Sequence, residues 1–298
     1  MAKDISFMWF EITGKCQLEC QHCYAESGPH GVPGSMSRTD WITTIDDAAD
    51  LGVAMVQFIG GEPTLHPDLP KFVRHALDRA VRVEIYSNLV YVPEMLWKVF
   101  SQPGVRLATS YYSDEAQQHE QITQRRGSYA RTRTNIREAL RRSIPLRVGV
   151  IEVRDSQRIE RARAELAALG VTDVHVDRLR RVGRGANQEP SDVNELCGHC
   201  AQGVVAVSPT GEVWPCVFAR WMPLGNVRTT PLMEILSGTL MASARTVLSK
   251  SDWGDVTAIC DPRCCPNNMC DPQCSPSCSP SCTPAGNCVP TGNCAPNY

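Results

Sequence analysis

The stretch "EITGKCQLECQHCYAESGP", residues 11–29, sets three cysteines within eight positions at the end of an apolar run. Cys16, Cys20 and Cys23 are separated by three and then two residues. A four-thiol metal site is one cysteine short on this spacing. Three thiolates can instead hold three irons of a [4Fe-4S] cube and leave the fourth iron open, as a catalytic metal site requires. The triplet taken alone also admits part of a zinc site, or thiols with no shared role.

The totals bound what such a loop can serve. The chain has 298 residues, long enough for one large domain or two ordinary ones, and its 42% apolar content is enough to build a core. Thirty basic side chains against 32 acidic ones give a formal charge of -2, without the positive field of a nucleic-acid binder. The start "MAKDISFMWFEITGK" has no basic segment followed by an apolar signal run, and no 18 apolar residues run together. A cytoplasmic protein without a membrane span is expected. In that compartment fifteen cysteines are kept reduced, which favours metal or redox use over disulfides.

The cysteines fall in three groups, near the start, at 197, 200 and 216, and from 260 to 294, with none between 24 and 196. That cysteine-free middle alternates β-branched or aromatic runs with longer amphipathic stretches, the pattern of βα units on a parallel sheet. Strands are expected at 7–13, 55–60, 81–87, 105–110, 146–152 and 173–179, and helices near 38–51, 68–80, 93–101, 128–143 and 156–169. Right-handed crossovers then make an α/β fold, a partial (β/α)6 barrel over residues 1–182, with functional loops at the strand C-terminal ends. The cysteine triplet follows the first strand.

"VGRGANQEPSDVNE" reads as a linker from about residue 183. A small Cys-rich unit over 183–274 follows, in which "GVVAVSPTGEVWPCVF" is a β-hairpin turning at Pro209-Thr210-Gly211, with a short helix near 231–248. Residues 275–298 are a Cys/Pro/Ser-rich tail that cannot bury a core by itself. It is expected either to be ordered by metal or to be largely flexible.

A second motif lies in "VQFIGGEPTLHPDL" (56–69), where the second strand ends in Gly60-Gly61-Glu62-Pro63. Glycines let backbone approach a ligand closely, and a carboxylate can accept from an ammonium. Together with Cys-x3-Cys-x2-Cys and His22 just before the last cysteine, this stretch resembles the radical S-adenosylmethionine superfamily. The resemblance implies a [4Fe-4S] cluster on Cys16, Cys20 and Cys23 whose open iron takes S-adenosylmethionine, with Gly60, Gly61, Glu62 and Pro63 at the methionine amino group. It further implies ribose or carboxylate contacts from Ser87, Asn88 and Ser110. Relatives commonly show Ser-Leu-Asp-Gly where this chain has Ser110-Tyr111-Tyr112-Ser113, so the substrate side of that loop differs. Arg125, Arg126 and Arg131 could pair with the cofactor carboxylate, or be solvated on a helix face.

Cys200, Gly211 and Cys216 are spaced like the opening of a SPASM domain, and Cys260-x3-Cys264-x5-Cys270-x3-Cys274 follows that domain with one extra residue in its first gap. By resemblance one auxiliary [4Fe-4S] cluster uses Cys197, Cys200, Cys216 and Cys274. A second would use Cys260, Cys264 and Cys270 plus Cys288 or Cys294. Zinc remains open here, because Cys197-x2-Cys200 with a later pair also suits a zinc ribbon. Cys265, vicinal to Cys264, is left over: it could give a hydrogen atom to a substrate radical, bind substrate, or be idle.

The superfamily reductively cleaves S-adenosylmethionine to a 5'-deoxyadenosyl radical that abstracts hydrogen from a substrate. Auxiliary clusters favour net oxidation, so the leading expectation is maturation of a ribosomally made peptide or a protein side chain. An external low-potential electron donor of the flavodoxin or ferredoxin type is implied. Because the first strand starts almost at the N-terminus, recognition of a leader-bearing peptide is expected to come from a separate peptide-recognition protein or from the barrel and tail. The alternatives are a small-molecule biosynthetic radical enzyme and a non-enzymatic iron-sulfur electron carrier.

Overall fold

The computed structural model describes residues 5–250 of the chain. Cys260, Cys264, Cys265, Cys270, Cys274 and Cys288, with the tail after them, lie outside the described residues.

The expected strands are present as β1 (Phe7–Thr13), β2 (Met55–Gly60), β3 (Arg82–Tyr86), β4 (Val105–Tyr111), β5 (Leu146–Glu152) and β6 (Asp173–Arg178). They pair in parallel in that order, the sheet of a partial (β/α)6 barrel. The barrel stays open because the outer edge of β1 is occupied by β7 (Val204–Val207), parallel to it, with β8 (Glu212–Trp214) and β9 (Gly225–Asn226) antiparallel beyond. The hairpin over 204–214 therefore continues the barrel's own sheet. With a parallel partner on each side, β1 is covered on both faces, which explains its almost unbroken apolar run.

Helices α1 (Arg38–Asp50), α2 (Leu69–Asp78), α3 (Glu94–Phe100), α4 (Ala116–Thr123), α5 (Ser128–Arg141) and α6 (Ile159–Leu169) fall between the strands. Ser37 and Asp40 form a reciprocal capping box at the start of α1. Phe10, Trp41, Phe58 and Phe72 pack ring against ring between sheet and helices. Helix α4 escapes the sequence pattern, because "AQQHEQIT" buries only His119, Ile122 and Thr123 and shows no apolar stripe. The single helix expected near 231–248 is two, α7 (Leu232–Ser237) and α8 (Thr239–Lys250), parted where Gly238 is extended. Leu232, Ile235 and Leu248 join the same apolar core as Met8 and Phe10.

The polar stretch 182–195 is no slack linker. Residues Gly183–Ala186 form a 3-10 turn that folds back onto the cysteine loop, with the Arg184 amide donating to the Cys23 carbonyl (3.1 Å).

Inside the barrel, Gln57, Glu84 and Arg106 stand opposite one another on β2, β3 and β4. Glu84 is fully buried, accepts from Arg147 Nε (2.8 Å) and Nη2 (2.6 Å) and from Gln57, and lies 2.6 Å from Arg106 Nε. Burial pushes the Glu84 carboxyl up, but Arg147 and Arg106 outweigh it and hold it down at about 2. A carboxylate depressed in this way stabilises fully above its ordinary value of 4.5, and that contribution fades as the pH falls toward 2. Glu84→Gln leaves two guanidiniums without their counter-charge and is expected to cost about 3 kcal/mol. Urea unfolding at neutral pH and at pH 3 checks both statements: the deficit should narrow in acid.

Candidate functional site

The cysteine loop leaves β1 through a bulge, with the pairing to β2 shifting register between Glu11 and Thr13. A bulge re-aims the chain at the end of a strand. The loop then runs against the end of β2, where the Gly61 amide donates to the Thr13 carbonyl (2.7 Å) and the Glu62 amide to the Lys15 carbonyl (2.8 Å). A Cβ on Gly61 would lie 2.1 Å from Lys15 O, and one on Gly60, at φ +125°, 2.4 Å from Thr13 O. The two glycines are thus demanded by backbone meeting backbone. On the other side the Glu19 and Gln21 amides donate to the Thr123 and Ile122 carbonyls at the end of α4 (3.2 and 3.0 Å).

Cys16, Cys20 and Cys23 all line one cavity of about 260 Å³ inside the mouth of the barrel. Of the residues singled out from sequence, His22, Gly60, Gly61, Asn88 and Ser110 line it too. Cys16 Sγ accepts from the Leu18 amide (3.4 Å) and from Asn88 Nδ2 (3.6 Å), while Asn88 Oδ1 accepts from Gln17 (3.0 Å) and from the Val90 amide (2.9 Å). Burial and then the Glu62 carboxylate push the Cys16 thiol up to about 12, and burial with its two sister thiols raises Cys20. These thiols give up protons only to something cationic. His22, packed edge-on to Tyr112 at 5.1 Å, is lowered to about 4 by burial and then Arg184, and is neutral at pH 7.

Glu62, Pro63, Ser87 and Arg131 do not line the cavity. Glu62 is fully buried and its carboxylate already accepts from the Thr64 amide (3.0 Å), Thr64 Oγ1 (2.7 Å), Ser87 Oγ (2.8 Å) and the Asn88 amide (2.8 Å). It braces the end of β2 to that of β3. Pro63 opens the short 3-10 turn behind it. Arg131 is exposed: the buried face of α5 runs through Ser128, Thr132, Ile136 and Ala139, one step away. Arg125 and Arg126 are exposed as well.

The sequence reading missed Gln57, Tyr86, Tyr112, His119, Arg147, His175 and Asp177, all on the cavity wall. A signal existed, since Arg147, Gly149 and Ile151 on β5 and His175 and Asp177 on β6 alternate with apolar positions, the period of an inward face.

Cys197, Cys200 and Cys216 form a second thiol group. Cys200 Sγ lies 2.9 Å from Cys216 Sγ, none of the three is in a disulfide, and Cys197 with Cys216 raises the Cys200 thiol ahead of burial. The loop after Cys216 borders the cavity through Val217 and Phe218. It is tied to β1 where Arg220 Nη1 donates to both Glu11 oxygens (2.7 and 2.8 Å) beneath the Trp214 ring, 4.2 Å away.

Three thiols bordering one cavity fit a cluster held at three corners. The buried atoms His22 Nδ1, Gln57 Oε1 and His119 Nδ1, on residues that line the same cavity and without hydrogen-bond partners among the described residues, fit a polar ligand beside it.

The radical SAM superfamily model matches residues 10–164, and a model for an iron-sulfur cluster-binding domain, SPASM, matches residues 197–266. The chain belongs to the radical SAM superfamily. These domains imply [4Fe-4S] clusters and S-adenosylmethionine, which decides between the iron-sulfur and zinc readings. An AdoMet-dependent heme synthase of Methanosarcina barkeri is 26% identical over 192 residues, 63% of this chain and 55% of the relative. A PqqA peptide cyclase of Granulibacter bethesdensis is 24% identical over 177 residues, 59% of this chain and 47% of the relative. The chain thus spans about half the length of these curated relatives. The fold is like that of Streptococcus suis SuiB bound to precursor peptide SuiA, with a TM-score of 0.69 at 13% identity over 82% of this chain and 67% of that one. Among the described residues no helix is long and apolar enough to cross a membrane.

Gly61→Ala drives a methyl group into the Lys15 carbonyl and is expected to displace the cysteine loop while leaving the sheet intact. Iron retained after anaerobic reconstitution should fall by about four atoms per chain, with the far-ultraviolet circular dichroism spectrum unchanged.

Proposed function

We propose that this chain binds a [4Fe-4S] cluster through Cys16, Cys20 and Cys23, holds S-adenosylmethionine in the adjoining cavity, and modifies a ribosomally made peptide. The observation that carries the reading is that three thiols of one loop line a single cavity with buried, unpartnered polar atoms on its other residues. When bound, such a cluster supplies the one electron that cleaves S-adenosylmethionine to a hydrogen-abstracting radical.

The chain's own residues prepare that chemistry. The Leu18 amide and the Asn88 side chain hold Cys16, so the thiolate meets donors already in place. His22 stays neutral beside the cluster loop, which spares the site a second cation. Trp9, Tyr24, Tyr112, Val217 and Phe218 close the cavity with apolar surface that keeps water from a reactive centre. Tyr86 and Ser110 share a hydrogen bond (2.9 Å) across adjacent strands and present hydroxyls to the interior.

Cys197, Cys200 and Cys216 are assigned to an auxiliary cluster whose last ligand, by resemblance, is Cys274. Cys260, Cys264, Cys270 and Cys288 are assigned to a second. An external one-electron donor of the flavodoxin or ferredoxin type and a separate peptide-recognition protein complete the proposal, in a reducing cytoplasm.

The peptide reading is supported by the similarity to a peptide cyclase and by the likeness of fold to a protein seen with its precursor peptide. A second reading, a compact substrate such as a tetrapyrrole, is favoured by the heme synthase match.

Anaerobic iron analysis should find about twelve irons per chain with both auxiliary clusters, about eight with one and about four with none. With a strong reductant, wild-type protein should release 5'-deoxyadenosine from S-adenosylmethionine and Cys20→Ala should not. Cleavage by that variant would overturn the site, and none by reconstituted wild type would leave an electron carrier. Mass spectrometry of short peptides encoded beside the gene decides the substrate, since an unchanged peptide alongside a consumed porphyrin selects the second reading.

A further inference from the structure

We propose that Arg184 is a positioning residue for the first cluster, clamping the cysteine loop from the segment that follows the barrel and placing a positive charge against it. The inference rests on the reading that Cys16, Cys20 and Cys23 hold that cluster.

Between β1 and α1 the loop has no helix or strand of its own. Its cysteine turns are closed by two bonds, from the Cys23 amide to the Cys20 carbonyl (3.2 Å) and from the Glu26 amide to the Cys23 carbonyl (3.2 Å). Arg184 adds a second donor to each of these acceptors: its Nε reaches Cys20 O (2.9 Å) and its backbone amide reaches Cys23 O (3.1 Å). A carbonyl oxygen has two lone pairs, and here both are used. Nη2 goes on to the Ser27 carbonyl (2.7 Å), so one residue spans the loop from Cys20 to Ser27.

The flanking glycines are shaped to this contact. A Cβ on Gly183, at φ +58°, would lie 2.4 Å from Tyr24 O and 2.6 Å from Cys23 O. One on Gly185 would lie 2.7 Å from Arg180 O and 3.5 Å from His22 O. Gly183-Arg184-Gly185 is therefore seated backbone to backbone against the loop, with the guanidinium as its fork. Among the described residues no carboxylate forms an ion pair with Arg184. Its guanidinium is thus held by hydrogen bonds against the backbone of the cysteine loop. An unneutralised cation beside a cluster also favours the reduced, more negative state.

The fork and the charge are separable. Lysine keeps the charge but cannot span planar acceptors, and glutamine keeps a donor and loses the charge. The reduced first cluster is identified in full-length, reconstituted protein as the electron paramagnetic resonance signal that Cys20→Ala abolishes. Arg184→Gln should shift the midpoint potential of that signal negatively, by about tenfold in the one-electron equilibrium, or about 59 mV. Arg184→Lys should keep the potential near wild type but lose iron to a chelator several-fold faster.

Equal potentials in the two variants would overturn the charge role, and chelation rates equal to wild type in both would overturn the clamp. If neither variant holds the first cluster, an unchanged thermal unfolding midpoint supports the clamp, whereas a large drop in both marks a general folding defect and overturns it. A wild-type protein with no signal lost in Cys20→Ala overturns the cluster assignment and this proposal together.

Discussion

Two backbone hydrogen bonds, from Gly61 to Thr13 and from Glu62 to Lys15, hold the rest of the site in place. They join the end of β2 to the loop leaving β1, and the missing side chains at positions 60 and 61 are what let the two backbones close. Once joined, the loop must turn over the barrel mouth, and its three thiols come to line the cavity. Glu62 extends the weld to the next strand by gathering four donors from two loops. The motif at the end of β2 is thus a fastening between strands.

Charge is distributed with similar economy. At the barrel floor the single Glu84 carboxylate bridges Arg106 and Arg147, so each cation has an anion beside it. At the mouth Glu11 and Arg220 pair across the junction of β1 with the loop after Cys216. A buried pair of this kind contributes little net stability, because desolvation offsets the attraction, but it penalises every arrangement in which the partners part. The two thiol groups are consequently held in a defined relation through β1, on which one loop begins and against which the other is pinned. Arg184 adds a third tie from the segment after β6.

Much of this was legible in order along the chain. The six strands follow from β-branched runs, and the nearly unbroken apolar β1 announces a strand covered on both faces. The cysteine spacing, His22, Gly60, Gly61, Asn88 and Ser110 could be named before the fold was known, and all of them border one cavity. Helix α4 was not legible, since its polar sequence is held by the loop amides of Glu19 and Gln21, which donate to its last carbonyls. Arg131 lies off the cavity wall, a position its residue type could not reveal because type says nothing of which side of α5 faces inward.

The sequence by itself determined the elements and the chemistry they could carry, because strand periodicity and thiol spacing are local properties of the chain. Three outcomes come from the tertiary structure alone: the hairpin joins the barrel's sheet, the Glu62 carboxylate ties β2 to β3, and Arg184, 164 positions from Cys20, grips its loop. Those outcomes depend on which hydrogen-bonding groups meet across long separations. That pairing is set by the packing of strands and loops, and no local pattern encodes it.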